Sequence, residues 1–97
     1  MRKRVVILAS GTGSLTQAII DATDLDIQIV AVVSDRADAQ VLERAKNANI
    51  NTSVIELKGD RGAWDRQLFA QVDQYQPDLV ISAGFMRILS AEFVSTF

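Results

Sequence analysis

A glycine-rich turn near the start of the chain offers the first candidate chemistry. The segment "ILASGTGSLTQ" leads from an apolar run into a turn with Gly11 and Gly13, and then into a helical pattern that starts near Ser14. Glycines let a ligand approach the backbone closely, and the free N–H groups at the start of a helix attract negative charge. These residues predict an anion site, although a turn that binds no ligand has the same composition.

The form of this turn restricts which anion fits it. A G-x-G-x-x-G dinucleotide fingerprint needs a third glycine where this chain has Thr16, and the Gly-Lys-Ser/Thr ending of a P-loop is also missing. A single phosphate group therefore fits better than a pyrophosphate or a nucleoside triphosphate. Asp35, just past the second apolar run, has two interpretations: a ribose-binding acid of a dinucleotide site, or a turn or cap residue. The missing glycine favours the second.

A second segment, "SAGFMRILS", keeps its apolar character after an apolar strand has ended. It surrounds one cation, Arg87, with large apolar side chains. Such a loop can line a pocket for a flat heteroaromatic ligand, with backbone groups left to hydrogen-bond the edge of the ligand. Packing into the core of the protein explains the same residues.

Apolar runs alternate with helical patterns along the chain, and this alternation predicts the elements that position both segments. Since strands apolar on both faces are typical of parallel sheets, we expect an α/β, doubly wound, Rossmann-like fold with helices on both faces and strand order 3-2-1-4. The carboxyl ends of its strands should bring the two segments together. The strands are expected over Arg4–Ala9, Ile27–Val33, Thr52–Leu57 and Asp78–Ala83, and the helices over Ser14–Ala22 with Ser14 as N-cap, Ala39–Ala48, and Ala63–Tyr75.

Composition limits the classes of function. The chain has 97 residues, 48% of them hydrophobic, which predicts one globular domain over residues 1–97. Its net charge of -2 argues against a nucleic-acid partner, and its apolar runs are too short to span a membrane. The chain contains no cysteine and no histidine, so it lacks thiolate chemistry, the commonest general base and the commonest metal ligand. A reducing cytoplasm fits this composition.

Four segments carry a resemblance to a known family: "VVILASGTGSL", "DRADAQVLERA", "RGAWDRQL" and "PDLVISAGFMRILSAEFVS". In order and spacing they are similar to the N-terminal half of the phosphoribosylglycinamide formyltransferases, folate-dependent enzymes of purine biosynthesis. The resemblance covers essentially the whole chain. It implies formyl transfer from 10-formyltetrahydrofolate, as cosubstrate, to glycinamide ribonucleotide, without a metal.

The resemblance also implies two sets of site residues. The phosphate of glycinamide ribonucleotide would lie on Gly13, Ser14 and Leu15. Leu15 stands where the family commonly has Asn, so a backbone contact would survive there and a side-chain contact would not. The folate would contact Arg61, Met86, Arg87, Ile88 and Leu89. Without the resemblance, Arg61 reads as a solvated arginine at the start of a helix.

The catalytic Asn, His and Asp of the family lie in its C-terminal half, and this chain has no histidine to assign. We therefore expect a truncated piece with negligible catalysis of its own. The strand at Asp78–Ala83 should then form a sheet edge that pairs with another copy or with the missing half. Three alternatives remain open: a nicotinamide- or flavin-dependent enzyme, another folate-dependent formyltransferase or hydrolase, and a small noncatalytic domain.

Overall fold

The computed structural model describes residues 2–22, 24–57, 59–85, 87 and 89–97. In this part of the chain four strands alternate with four helices. In chain order they are β1 (Lys3–Leu8), α1 (Ser14–Asp21), β2 (Ile27–Ser34), α2 (Gln40–Asn47), β3 (Asn51–Val54), α3 (Arg61–Gln74), β4 (Leu79–Ser82) and α4 (Ala91–Thr96).

The strands form one parallel sheet in the order β3-β2-β1-β4. The predicted α/β, Rossmann-like fold and its strand order are therefore confirmed. The register of β1 against β2 shifts between Val5 and Val6, which leaves an irregularity in the pairing. Within the described residues, β4 pairs only with β1, so its other side is a free sheet edge.

Alternate residues of β1 enter two different cores, because successive side chains of a strand point to opposite faces. Val6 and Leu8 pack with Trp64, Leu68 and other side chains of α3 and α4. On the opposite face, the partners of β1 come mainly from α2. The core on this face includes Val5, Ile7, Ala9, Val32, Val41, Leu42 and Ala45. Helices thus cover both faces of the sheet.

The beginning of α1 differs from the prediction that Ser14 is its N-cap. Gly13 occupies the N-cap with a φ of 80°, and Ser14 is the first helical residue. The buried residue of α1 is Thr16, whereas Leu15 is 55% exposed. A glycine is required at the cap because the chain turns there in a left-handed conformation, directly against α2.

Other element boundaries also differ from the expected ones. β3 ends at Val54 rather than Leu57, and β4 is shorter at both ends than predicted. α3 begins at Arg61, two residues early, because the side chain of Asp60 accepts a hydrogen bond from the Gly62 N–H at 2.9 Å. The short helix α4 was not predicted. No helix in the described ranges has both the length and the apolar character needed to cross a membrane.

Candidate functional site

The two predicted segments meet at the carboxyl edge of the sheet. The Ser10 N–H, just past β1, donates to the Gly84 carbonyl, just past β4, at 3.2 Å. The Ala9 N–H donates to the Val33 carbonyl of β2 at 3.0 Å. The ends of three strands therefore hold the glycine-rich turn and the loop after β4 side by side.

Helix α2 holds the glycine-rich turn from one side. The Val41 N–H donates to the Gly11 carbonyl at 3.2 Å, and Nε of Arg44 donates to the Thr12 carbonyl at 2.7 Å. A Cβ built on Gly13 would lie 2.5 Å from Cγ2 of Val41, so turn and helix are in close contact. Both carbonyl groups of the turn consequently point toward α2.

The planarity of the peptide group then fixes the direction of the turn's donors. In a trans peptide the N–H points opposite to the carbonyl, so the N–H groups of Thr12 and Gly13 point away from α2. The Gly13 carbonyl accepts the Gln17 N–H at 2.7 Å, which starts α1. Within the described part of the chain, the N–H groups of Thr12, Gly13, Ser14 and Leu15 donate to no other group. Four consecutive donors are thus available to a ligand.

The electrostatics of this turn suit an anion. The donors lie at the N-terminal end of α1, where the helix dipole is positive, and the first turn of α1 carries no acidic side chain. The three residues that the family resemblance implied as phosphate contacts lie here: Gly13, Ser14 and Leu15. Because the side chain of Leu15 is largely exposed, the contribution of this residue to the turn is its backbone N–H.

The roles of Val41 and Arg44 in holding the turn were missed at the level of sequence. Arg44 lies 32 positions from Thr12, and α2 showed only an amphipathic pattern. The one sequence signal for this role is the presence of an arginine, Arg44, on the helix that packs beside the turn.

Arg61 is connected to the loop after β4 through aromatic rings. Its guanidinium lies 4.8 Å from the centroid of the Trp64 ring, and its Nε pairs with Asp65 at 2.9 Å. The Trp64 ring stacks on Phe85 with 6.2 Å between centroids and 13° between planes. The Trp64 indole is itself fixed, since its Nε1–H donates to the Ile55 carbonyl at 2.7 Å.

The remaining predicted folate contacts follow Phe85 along the chain. Leu89 is partly buried and packs against the core formed by β1, α3 and α4. Nε of Arg87 donates to Oδ2 of Asp35 at 2.7 Å. Met86 and Ile88, also predicted contacts, lie outside the described residues.

The structure gives Asp35 a partner that neither interpretation anticipated. Asp35 is only 4% exposed, and its carboxylate faces the Arg87 guanidinium rather than solvent. A buried acid is retained here because a cation from the loop after β4 offsets its charge. The carboxyl ends of β2 and β4 are therefore joined by an ion pair that the sequence did not reveal.

The two parts of this edge of the sheet offer different groups to a ligand. One part offers backbone donors for an anion, and the other offers two arginines beside aromatic and apolar side chains. No group of three His, Cys, Asp or Glu side chains among the described residues is placed to hold a metal ion.

Comparison with known proteins shows the family to which the chain is related. Residues 3–97 match the family described as formyl transferase. A phosphoribosylglycinamide formyltransferase of Escherichia coli K12 is 47% identical over 98 residues, with 96% of this chain and 46% of the relative covered. The corresponding enzyme of Mycobacterium tuberculosis H37Rv is 43% identical over 98 residues, covering 97% of this chain and 45% of the relative.

A solved structure gives the same result. The phosphoribosylglycinamide formyltransferase of Coxiella burnetii in complex with CHES superposes with a TM-score of 0.94 at 42% identity, covering 100% of this chain and 48% of that one. The chain spans about half the length of the bacterial relatives that it matches. By its sequence and its fold, the chain belongs to the formyl transferase family.

Proposed function

We propose that the chain forms the substrate-binding part of a phosphoribosylglycinamide formyltransferase. In this reaction the primary amine of glycinamide ribonucleotide attacks the formyl carbon of 10-formyltetrahydrofolate. A new C–N bond forms, the bond from the formyl carbon to N10 of the folate breaks, and the proton lost by the amine is transferred to the folate nitrogen. The observation that carries the proposal is the row of four backbone N–H groups at the start of α1 that have no partner among the described residues.

On the substrate side, we assign the phosphate of glycinamide ribonucleotide to Gly13, Ser14 and Leu15. Two or three N–H donors converging on a phosphate at a helix N-terminus need no cationic side chain to bind it. A leucine can replace the family's usual asparagine because the contact needs only the backbone N–H of Leu15. The absence of an acidic side chain from the first turn of α1 supports the same assignment.

On the folate side, we assign Arg61, Met86, Arg87, Ile88 and Leu89. The stack of Arg61, Trp64 and Phe85 leads from α3 to the loop after β4, and Arg87 follows two residues later. Such an arrangement suits a flat heterocycle that carries carbonyl and carboxylate oxygens, because the arginines can donate to these oxygens beside an apolar wall.

Catalysis requires further groups. The tetrahedral intermediate carries an oxyanion, and the attacking amine must lose a proton, so the reaction needs donors and a base near the formyl carbon. The chain has no histidine. We propose that it binds both ligands with negligible turnover on its own, and that the family's catalytic Asn, His and Asp come from sequence outside it.

We further propose that β4 is the surface through which the chain associates with another copy or with that additional sequence. The strand is apolar, and Leu79 is 48% exposed. A free edge of this kind, with neither a charge nor a proline within the strand, readily accepts another strand.

Isothermal titration calorimetry of the chain with three ligands tests the proposal. We expect saturable binding of glycinamide ribonucleotide, with an affinity at least tenfold above that of the nucleoside without its phosphate, since the loss of charge-assisted hydrogen bonds costs about 1.4 kcal/mol or more. NAD should not bind measurably. Equal binding of nucleotide and nucleoside, or preferential binding of NAD, would contradict the assignment.

A further inference from the structure

Asp35 is a buried acid whose two carboxylate oxygens have different surroundings. Its side chain is 1% exposed, and Oδ2 accepts the hydrogen bond from Nε of Arg87 at 2.7 Å. Oδ1 is buried and has no hydrogen-bond partner among the described residues. Asp35 directly follows β2, whose residues from Val30 onward are buried, so its backbone belongs to the rigid centre of the sheet.

Arg87 is held by this carboxylate at one end of its guanidinium. Its side chain is 36% exposed, while its Nε faces the buried acid. In the described part of the chain its terminal nitrogens donate to no acceptor. Because the guanidinium is planar, a fixed Nε–H bond also fixes the plane in which the other N–H donors lie. Those donors remain available at the carboxyl edge of the sheet.

The nearby charges make this pairing specific. Arg36, the next residue along the chain, forms an ion pair with Asp38 instead, with 3.3 Å between its Nε and Oδ1 of Asp38. Both of those side chains are largely exposed. The backbone N–H of Arg36 donates to the Ser34 hydroxyl at 3.1 Å. Arg87 is consequently the cation that offsets the buried charge of Asp35 within the described residues. An unpaired buried carboxylate is costly, so each side chain constrains the other.

We propose that Asp35 is a positioning residue of the folate site, which holds the Arg87 guanidinium so that its free N–H donors meet an oxygen acceptor of the folate. The proposal rests on the proposed function for the identity of the ligand. The claim that Asp35 positions Arg87 rests on their ion pair alone. Replacement of Asp35 should therefore lower the affinity for folate and leave the affinity of the glycine-rich turn for phosphate unchanged.

Two measurements on the same variants test this. The first is the ¹H–¹⁵N NMR signal of the Arg87 Nε–H, the group that donates to Asp35. If Asp35 only stabilised the fold in general, its replacement would leave this signal unchanged. The second is calorimetry with 5-formyltetrahydrofolate as a stable folate probe, and with glycinamide ribonucleotide as the second ligand. Asp35→Ala removes the acceptor, and Asp38→Ala is the matched control because it removes an acid from an exposed pair.

For Asp35→Ala we expect the Nε–H signal of Arg87 to shift and to exchange faster with water. The affinity for the folate probe should fall at least tenfold, with the affinity for glycinamide ribonucleotide within twofold of the unsubstituted chain. Asp38→Ala should change neither. If Asp35→Ala does not fold, Asp35→Asn, which keeps the shape and one acceptor oxygen, should show a smaller loss of folate affinity with nucleotide binding retained.

An unchanged Arg87 signal, or equal folate affinities for Asp35→Ala and Asp38→Ala, would overturn the proposal. Absence of folate binding by the unsubstituted chain would overturn it as well. Failure of the proposed function has a different signature: glycinamide ribonucleotide does not bind any form of the chain, while the Arg87 signal still responds to Asp35→Ala.

Discussion

Gly13 and Val41 pack so closely that no side chain fits between them. A Cβ on Gly13 would lie 2.5 Å from Cγ2 of Val41 and 2.8 Å from its Cα. The φ of Gly13 is also 80°, a conformation that other residues rarely adopt. The glycine-rich turn is thus held against α2 by a contact that only glycine permits.

Gly13→Ala should therefore destabilise the protein strongly. We expect a loss of about 3 kcal/mol in the free energy of unfolding, from backbone strain and from overpacking against Val41. Urea unfolding followed by circular dichroism measures it. Gly11→Ala is the control, because a Cβ there has no neighbour within 4 Å, and it should cost less than about 1 kcal/mol. Equal losses for the two variants would contradict the described contact.

Arg44→Met tests whether α2 orients the donors of the turn. The substitution removes the guanidinium that donates to the Thr12 carbonyl, so the peptide group between Thr12 and Gly13, which carries the Gly13 N–H, can rotate. Since a charge-assisted hydrogen bond is worth about 1.5–3 kcal/mol, we expect the affinity for glycinamide ribonucleotide to fall about tenfold by calorimetry.

Lys46→Met is the matched control for Arg44, because it removes the same charge from an exposed position of the same helix. It should alter the affinity less than twofold. The same loss in both variants would indicate that α2 contributes only net charge.

Trp64→Phe tests the buried hydrogen bond that fixes the indole ring. The substitution removes the indole N–H that bonds the Ile55 carbonyl at 2.7 Å in a buried position. A buried acceptor left without a donor costs about 1–3 kcal/mol, which urea unfolding can detect by circular dichroism.

Tyr75→Phe provides the comparison for Trp64. It removes the hydroxyl that lies 2.9 Å from Oγ of Ser53, but Ser53 keeps the Gln71 side-chain amide as a partner at 3.0 Å. We expect a loss below about 1 kcal/mol. A larger loss for Tyr75→Phe than for Trp64→Phe would refute this ranking.

The architecture could be predicted from the sequence because its signals are local. The apolar run of β1 and the periodicity of α2 lie within single segments, and their alternation leaves few sheet topologies. Helix α4 was not predicted because it is only six residues long. Its N-cap, Ser90, nevertheless accepts the Phe93 N–H through its hydroxyl, as a typical N-cap does. Short elements carry too few residues to show a period.

The details of the candidate site were not predictable in the same way. Asp35 was noticed, but its partner Arg87 is 52 positions away, and only the folded sheet brings them together. Ser14 looked like the cap of α1 because serine is a preferred capping residue, yet the contact with Val41 demands glycine at that point. In both cases a tertiary contact overrides the local preference.

The edge of β4 gives a prediction about association. We expect size-exclusion chromatography with light scattering to show dimers or larger species at high concentration, and Leu79→Lys to shift them toward monomer, because a charge on an edge strand opposes pairing. Leu25→Lys is the control, since Leu25 is 47% exposed but lies outside β4. A monomer at every concentration, or an equal effect of both lysines, would argue against pairing through β4.

The most direct test of the central claim is an amide NMR titration of the ¹⁵N-labelled chain with glycinamide ribonucleotide, with inorganic phosphate as the reference ligand. If the glycine-rich turn binds the phosphate, the largest shifts fall on the N–H signals of Gly13, Ser14 and Leu15, and the nucleotide saturates them at lower concentration than phosphate does. Shifts centred elsewhere in the chain, or none at millimolar nucleotide, would contradict the claim that this turn is the phosphate site.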